Sequence, residues 1–386
     1  KPTVLALTRQ NLPVFDRAEC AQAESLRRGA YILWEAKPET TPDLILIGTG
    51  LLFALTEVLH NALLVPAAGT RAAEASGLAL ALGNLVSVGL LVALLWGFAL
   101  PGTVDWPFVP SAPLFGVDQA THEPDRLTGP IVAASLGTGL LLILLFVPDM
   151  RRTGLSLAQA LAGAPRDLWA MARRLGEVRE ATIFLVARML YADGKAAILL
   201  FGGVLAAGVM GWGTRAMLAY GILLSILAVL GGLLAPRLDR ALGPRNAVLV
   251  EIGATVLLFV LLLLTAPGRL AGVPVATAPL FDGPFFTTPA EIGFIALGGL
   301  SAIAITAAYA SSRTLMTRLV PPERLGTFFG FYALSGTATA WLGPLLVAFG
   351  TLRFGSQQGG LAMALLLLVA GFLLLLKVRP AGRPRP

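Results

Sequence analysis

From residue 129 to residue 377 the chain is a succession of apolar runs, each about 20 residues long, separated by short basic or Pro/Gly-rich joints. A bilayer core is roughly 30 Å thick, and a helix needs about 20 mostly apolar residues to cross it. A water-soluble core has no use for so many runs of that length. The chain therefore reads as an all-α integral membrane protein. Its composition agrees: 13% of residues are charged and 56% hydrophobic, where an ordinary globular domain is about 25% charged.

The remaining composition removes several classes of function. A net charge of +7 would suit a nucleic-acid ligand, but the basic residues lie in the joints between apolar runs, so no nucleic-acid partner is expected. Cys20 is the only cysteine, and His60 and His122 are the only histidines, which leaves no internal disulfide and no expected metal site. There is no Gly-rich phosphate loop ending in Lys-Ser/Thr and no G-x-S-x-G nucleophile motif. An ATP-driven pump is disfavoured, no cofactor is expected, and the chain is not expected to be an enzyme.

Membrane spans are expected near 77–100, 129–148, 181–209, 214–235, 246–266, 290–312, 326–350 and 357–377. A ninth, near 45–66, is interrupted by Glu57, His60 and Asn61. The joints alternate in charge. One set (67–76, 149–180, 236–245, 313–325 and the tail) holds seventeen Lys and Arg; the other (101–128, 211–215, 267–289 and 351–356) holds four. Lys and Arg collect on the cytoplasmic side, so the C-terminus is expected inside the cell, with the protein multi-pass in a bacterial inner membrane. Within 149–180, Leu157, Leu161, Leu168, Met171 and Leu175 recur at helical spacing among Arg and Glu. That pattern predicts an amphipathic linker helix on the cytoplasmic membrane surface.

Ionisable groups inside a bilayer are expensive and mark pathways, relays or buried pairs. The span at 181–209 holds Arg188, Asp193 and Lys195. Arg188 and Lys195 are seven apart and share a helix face, whereas Asp193 lies about 140° from Arg188. Those two cannot pair within the helix, so Asp193 must find a partner on another helix or face water. Two cations on one face could draw a substrate carboxylate; interhelical pairing, with one cation snorkelling to the interface, would serve equally. Glu57, His60 and Asn61 share a second face, as a proton relay or a polar contact between helices. Glu251 lies near the start of its span, where contact with loop arginines is expected. Tyr309 and Tyr332 are candidates to line a cavity, since each has a polar end to satisfy. Ser301, Thr306, Ser311, Ser312, Ser335, Thr337, Thr339 and the Gly326/Gly330 pair suit close helix packing.

Residues 51–380 resemble the major facilitator superfamily, in its vacuole-effluxer-like branch, which includes a fungal autophagy-related amino-acid effluxer. The resemblance is carried by "HNALL" at His60–Leu64, "RAAEASGLALALGNL" from Arg71, "TGPIVA" with "FVPDMRR", "FLVARMLYADG" at Phe184–Gly194 followed by "FGGVLAAGVMGW", and "PPERLGTFFGFYALSGTATAWLGPLL" at Pro321–Leu346. "LDRALGPR" at Leu238–Arg245 is similar to the superfamily's cytoplasmic Asp-Arg-x-x-Gly-Arg turn. The resemblance implies twelve helices in two halves, and the nine spans align with the last nine. The expected fold is a truncated major facilitator fold: 51–148 as the remnant of the first half, 149–180 as linker, 181–377 as a complete second half, and 378–386 as a basic tail. It also implies secondary transport of a small solute, amino acids leading. Asp193, Lys195, Arg188, Glu57, His60, Tyr309 and Tyr332 would lie on the substrate or proton pathway. Asp239, Arg240, Gly243 and Arg245 would form the cytoplasmic gating turn. The bilayer and a small-molecule solute are the expected partners.

Residues 1–49 resemble transketolase near the start of its C-terminal domain, through "VLALTRQNLPVF", "RRGAYIL" and "PDLILIGTG". Arg9 falls where that family's arginine grips the sugar phosphate. The thiamine diphosphate of that family is held by other domains, so the segment reads as a vestigial fragment rather than an independent domain. A mixed-charge segment abutting a membrane span near residue 50 predicts a chimeric or truncated sequence. Two rival readings follow: a transketolase-related enzyme fragment, and a membrane scaffold that transports nothing.

Overall fold

A computed structural model describes residues 60–102, 107–117, 123–146, 178–283 and 285–379, with six isolated positions between 159 and 173. Those six positions are helical. Arg9, Glu57 and the Leu and Met positions of the expected linker stripe lie outside the described residues.

The described elements are ten α-helices and one small hairpin. A short α1 (Leu64–Ala68) leads through a tight turn into α2 (Ala72–Leu94), then α3 (Glu123–Phe146), α4 (Arg179–Met210), α5 (Thr214–Leu242) and α6 (Pro244–Leu263). The antiparallel β1 (Arg269–Leu270) and β2 (Val273–Pro274) follow, then α7 (Pro289–Leu319), α8 (Leu325–Thr337), α9 (Leu342–Phe354) and α10 (Gln357–Leu375). Among the described residues seven helical runs are long and apolar enough to cross a membrane, with α8 and α9 taken as one run. Nine were expected. Most of the span at 45–66 lies outside the described residues, and the apolar stretch of α3 is the shorter Gly129–Ile143.

Two joints are tighter than their sequences suggest, and one expected span is interrupted. The expected loop at 67–76 contracts to a turn at Gly69, with φ +53°, so the helical run from His60 to Phe98 is nearly unbroken. The expected loop at 236–245 is mostly helix: α5 runs through Pro236 to Leu242, and only Gly243 separates it from α6, which starts on Pro244. Gly243 has φ 78° and ψ 149°, a region open essentially to glycine alone. The span at 326–350 is broken, with turns at 338–341 between α8 and α9.

Helix ends explain the remaining boundaries. Thr288 and Glu291 form a reciprocal capping box ahead of Pro289, and the Ser356 hydroxyl accepts from Gly359 N to start α10. These contacts satisfy amide groups that the first helical turn leaves without partners.

Inside and outside are inverted relative to a water-soluble protein. Leu200 (62% exposed), Leu257 (59%) and Leu366 (56%) face outward, while Lys195 (1%), Glu251 (2%) and Asp193 (2%) are buried. Lipid supplies no hydrophobic drive between helices, so packing rests on close approach and hydrogen bonds. Gly194 of α4 lies against Ala364 and Leu368 of α10, and Gly371 of α10 against Ala187 and Tyr191 of α4. Gly77 of α2 and Gly232 of α5 meet backbone to backbone. The Gly326/Gly330 pair does not serve this purpose: among the described residues nothing stands within 4 Å of a side chain added at either position.

One end of the bundle is pinned by arginine. Arg240 pairs with Glu74 at 3.9 Å between two exposed side chains, a contact worth little by itself. Arg245 donates to the carbonyls of Val378 (2.6 Å) and Leu376 (2.7 Å), a cation on the terminal carbonyls of α10. At the opposite end Trp212 Nε1 donates to Glu291 Oε1 at 2.8 Å.

Candidate functional site

Four helices bring ionisable side chains into the interior: α4 with Arg188, Asp193 and Lys195, α5 with Asp239, α6 with Glu251, and α7 with hydroxyls and Tyr309. All of the ionisable groups are buried.

Lys195 is enclosed by aromatic rings. Its Nζ lies 3.6 Å from the Tyr309 ring centroid and 5.2 Å from that of Tyr191, where ring quadrupoles attract a cation. Among the described residues its ammonium has no hydrogen bond or ion pair. Tyr191 stands one turn before Lys195 on α4, and its hydroxyl shares a 2.8 Å hydrogen bond with Ser312 Oγ of α7. The charges of Arg188, Glu251 and Arg313 act on Lys195 across the interior.

Arg188 and Asp193 both serve the broken helix. The Arg188 guanidinium carbon lies 3.4 Å from the Tyr332 ring centroid, and Nη1 donates to the Tyr332 carbonyl and to Ser335 Oγ, the latter at 2.8 Å. Asp193 Oδ2 accepts from Gly343 N at 3.2 Å. That amide has no partner within its helix, because Gly343 lies in the first turn of α9. A cation thus sits near the C-terminal end of α8 and an anion at the N-terminal end of α9, each matched to the helix dipole it meets. Neither Arg188 nor Lys195 snorkels to the interface, which corrects one expectation from the sequence. As expected, Arg188 and Asp193 do not pair with each other.

Glu251 is not a helix-end contact for loop arginines. Ser311 Oγ of α7 donates to its Oε1 at 2.9 Å, and its Oε2 is without a hydrogen bond. Asp239, expected in the cytoplasmic gating turn, is buried in the last turn of α5. The hydroxyls of Ser311 and Thr314 face it without closing a hydrogen bond to either carboxylate oxygen. Arg240 and Arg245 do lie at the Arg-rich end, as described above. His60 is exposed with Arg313 as its charged neighbour, and Asn61 is buried with its Nδ2 unpartnered.

A cavity of about 300 Å³ opens between α2, α4, α5 and α7. Its wall is mainly Leu80, Leu199, Leu224, Ala228 and Ile305, with polar contributions from Asn84, Ser225, Thr306 and Tyr309. Tyr309 is common to the cavity and to the Lys195 enclosure. The cavity volume is at the small end for a ligand pocket, and its few polar groups on an apolar wall are typical of one.

Sequence reasoning singled out Lys195, Asp193, Arg188, Tyr309 and Tyr332, with snorkelling left open for the two cations. It missed Tyr191 and undervalued Glu251 and Ser311. The signal for Tyr191 was its i, i+4 spacing to Lys195; for Glu251, a lone carboxylate seven residues into an apolar helix.

Comparison with known proteins follows the two parts of the chain. A stretch of 49 residues is 47% identical to the transketolases of Staphylococcus aureus strains MW2 and N315, and 43% identical to that of Aquifex aeolicus strain VF5. It amounts to 13% of this chain, and the chain spans about 7% of the length of those enzymes. Residues 120–381, which contain α3 to α10 and every interior charge just described, match the family described as vacuole effluxer Atg22 like. That match takes in well over half of the chain, and the protein belongs to the vacuole effluxer Atg22-like family.

Proposed function

We propose that the chain moves a small solute across a membrane by alternating access of the major facilitator type, and that the solute is an amino acid. The observation that carries the reading is the apolar cavity lined on one side by Tyr309, with the Lys195 ammonium 3.6 Å from the centroid of the same ring. An apolar wall suits an aliphatic or aromatic side chain. A buried ammonium that among the described residues meets ring faces suits a carboxylate, since a charged hydrogen bond is stronger than a cation–ring contact. The name of the family, an effluxer, supports transport outward from a compartment. The excess of Lys and Arg at the end bearing Arg240 and Arg245 supports a cytoplasmic placement for that end and for the C-terminus.

Reconstitution of the full chain in proteoliposomes tests the proposal through exchange of labelled amino acids against internal unlabelled ones. The wild type should exchange at least one neutral amino acid. Lys195→Met, similar in length but uncharged, should reduce exchange at least about tenfold, the equivalent of 1.4 kcal/mol or more. Equal exchange by wild type and variant would overturn the role of Lys195; no exchange of any amino acid would overturn the substrate class.

A further inference from the structure

The interior holds a second set of polar groups that solute binding leaves unused. Glu251 on α6 and Asp239 on α5 are both more than nine-tenths buried, and among the described residues three of their four carboxylate oxygens accept no hydrogen bond. A carboxylate offers about four acceptor positions; Glu251 fills one of them, with Ser311. The Ser311 hydroxyl stands between the two acids, bonded to one and facing the other. A bare carboxylate is among the costliest groups to keep in an apolar medium, and it persists there by gaining a counter-charge or a proton.

The counter-charges are incomplete. From α4, Lys195 and Tyr191 face Glu251; from α5, Asp239 does. Asp239 in turn faces Arg318 of α7 and Glu74 of α2. Lys195 also feels Arg188 and Arg313. Among the described residues none of these cations forms an ion pair with Glu251, and Lys195 is drawn toward the rings of Tyr309 and Tyr191.

We infer that Glu251 is a proton-binding site, loaded from the Arg-rich end of the bundle through Asp239 and Ser311. Asp239 lies three residues from the end of α5 and Glu251 seven residues into α6, so the acids occupy successive depths of about 5 and 10 Å. In the transfer, Ser311 gives its own hydroxyl proton to Glu251 Oε1 and takes one from the Asp239 carboxyl, which is refilled from water. One O–H bond forms for each that breaks, and the net change is one proton on Glu251. Neutral Glu251 removes the negative charge that acts on Lys195 across the interior, which strengthens the pull of the ammonium on an anionic group in the cavity. Proton binding and solute binding are then coupled through one lysine. The inference deepens the transport reading and depends on it for this last step, not for the proton site itself.

Infrared difference spectroscopy of the full chain in lipid tests the site without any solute. Titration from alkaline to acid buffer should raise a carboxylic-acid C=O band that is lost in Glu251→Gln and shifted in frequency in Ser311→Ala, where a hydrogen bond to the acid is missing. Deuterium exchange of that band should slow in Asp239→Asn. Replacing sodium with N-methylglucamine should leave the band unchanged. The inference is overturned if the band is absent from the wild type, persists in Glu251→Gln, or keeps its frequency in Ser311→Ala. It is also overturned if sodium displaces the band, which would mark a metal-cation site instead. The Ser311 variant decides the matter even if Glu251→Gln does not fold. A normal band with no amino-acid exchange would refute the transport reading and leave the proton site standing.

Discussion

Replacing Gly77 with alanine should loosen the crossing of α2 over α5, and the cost follows from the geometry. A Cβ at Gly77 would lie 2.4 Å from the Gly232 carbonyl oxygen and 2.5 Å from Pro236 Cγ. An ordinary C···O approach is about 3.3 Å or more, so the helices must part by roughly 1 Å. Neither obstacle is a flexible side chain: one is backbone and the other a ring fixed in a helix. A gap of that size forfeits a quarter to a half of each van der Waals well of about 0.1–0.2 kcal/mol. Over a crossing with on the order of 40 atom pairs, the loss is roughly 2 kcal/mol. The neighbouring bond from Ser76 Oγ to the Ala310 carbonyl, 3.1 Å long, is put at risk as well. Gly83, on the same helix, has nothing within 4 Å of an added Cβ, and its alanine variant should gain about 0.5–1 kcal/mol from helix propensity. Unfolding in mixed micelles with increasing SDS, followed by circular dichroism, would compare the two. Midpoints that move together, in either direction, would refute the close approach of α2 and α5.

Two further changes probe the joints and the break. Gly243→Ala should destabilise the chain by about 1–3 kcal/mol, since φ 78° with ψ 149° is strained for any residue with a Cβ; an unchanged thermal midpoint in detergent would contradict that backbone. Asp193→Asn keeps an acceptor for the Gly343 amide but removes the charge facing the α9 N-terminus, a loss of about 0.3–2 kcal/mol. It should therefore fold. Amino-acid exchange in liposomes should nonetheless be lost if the carboxylate lies on the solute path, and unchanged exchange would leave Asp193 as a helix cap only.

The spans were legible because lipid imposes a single length on every crossing, and apolar runs such as 246–266 and 357–377 meet it without ambiguity. The joints were not. Charged residues in "LDRALGPR" suggested a loop, yet Asp239 is buried and only Gly243 leaves the helix, because one glycine in an unusual conformation can reverse direction without a loop. The break at 338–341 was legible but passed over: Pro344, next to Gly343 and eight residues after Gly336, has no N–H for the carbonyl four residues back and its ring clashes there. Interior charges were recognisable as such, since nothing else explains Arg188, Asp193 and Lys195 within a span. Their partners were not, because spacing fixes a face of the helix and not the neighbour it meets. Glu251 shows the same limit: its burial depends on Ser311, sixty residues away.

The clamp of α4 on the broken helix has a mechanical meaning. A gap in a helix inside hydrocarbon leaves amides and carbonyls that lipid cannot serve, and such a gap is ordinarily the softest point of a span. Here two charged side chains, five residues apart on one continuous helix, grip the two sides of the gap. The elbow between α8 and α9 is therefore splinted, and both segments are obliged to travel with α4 as one lever.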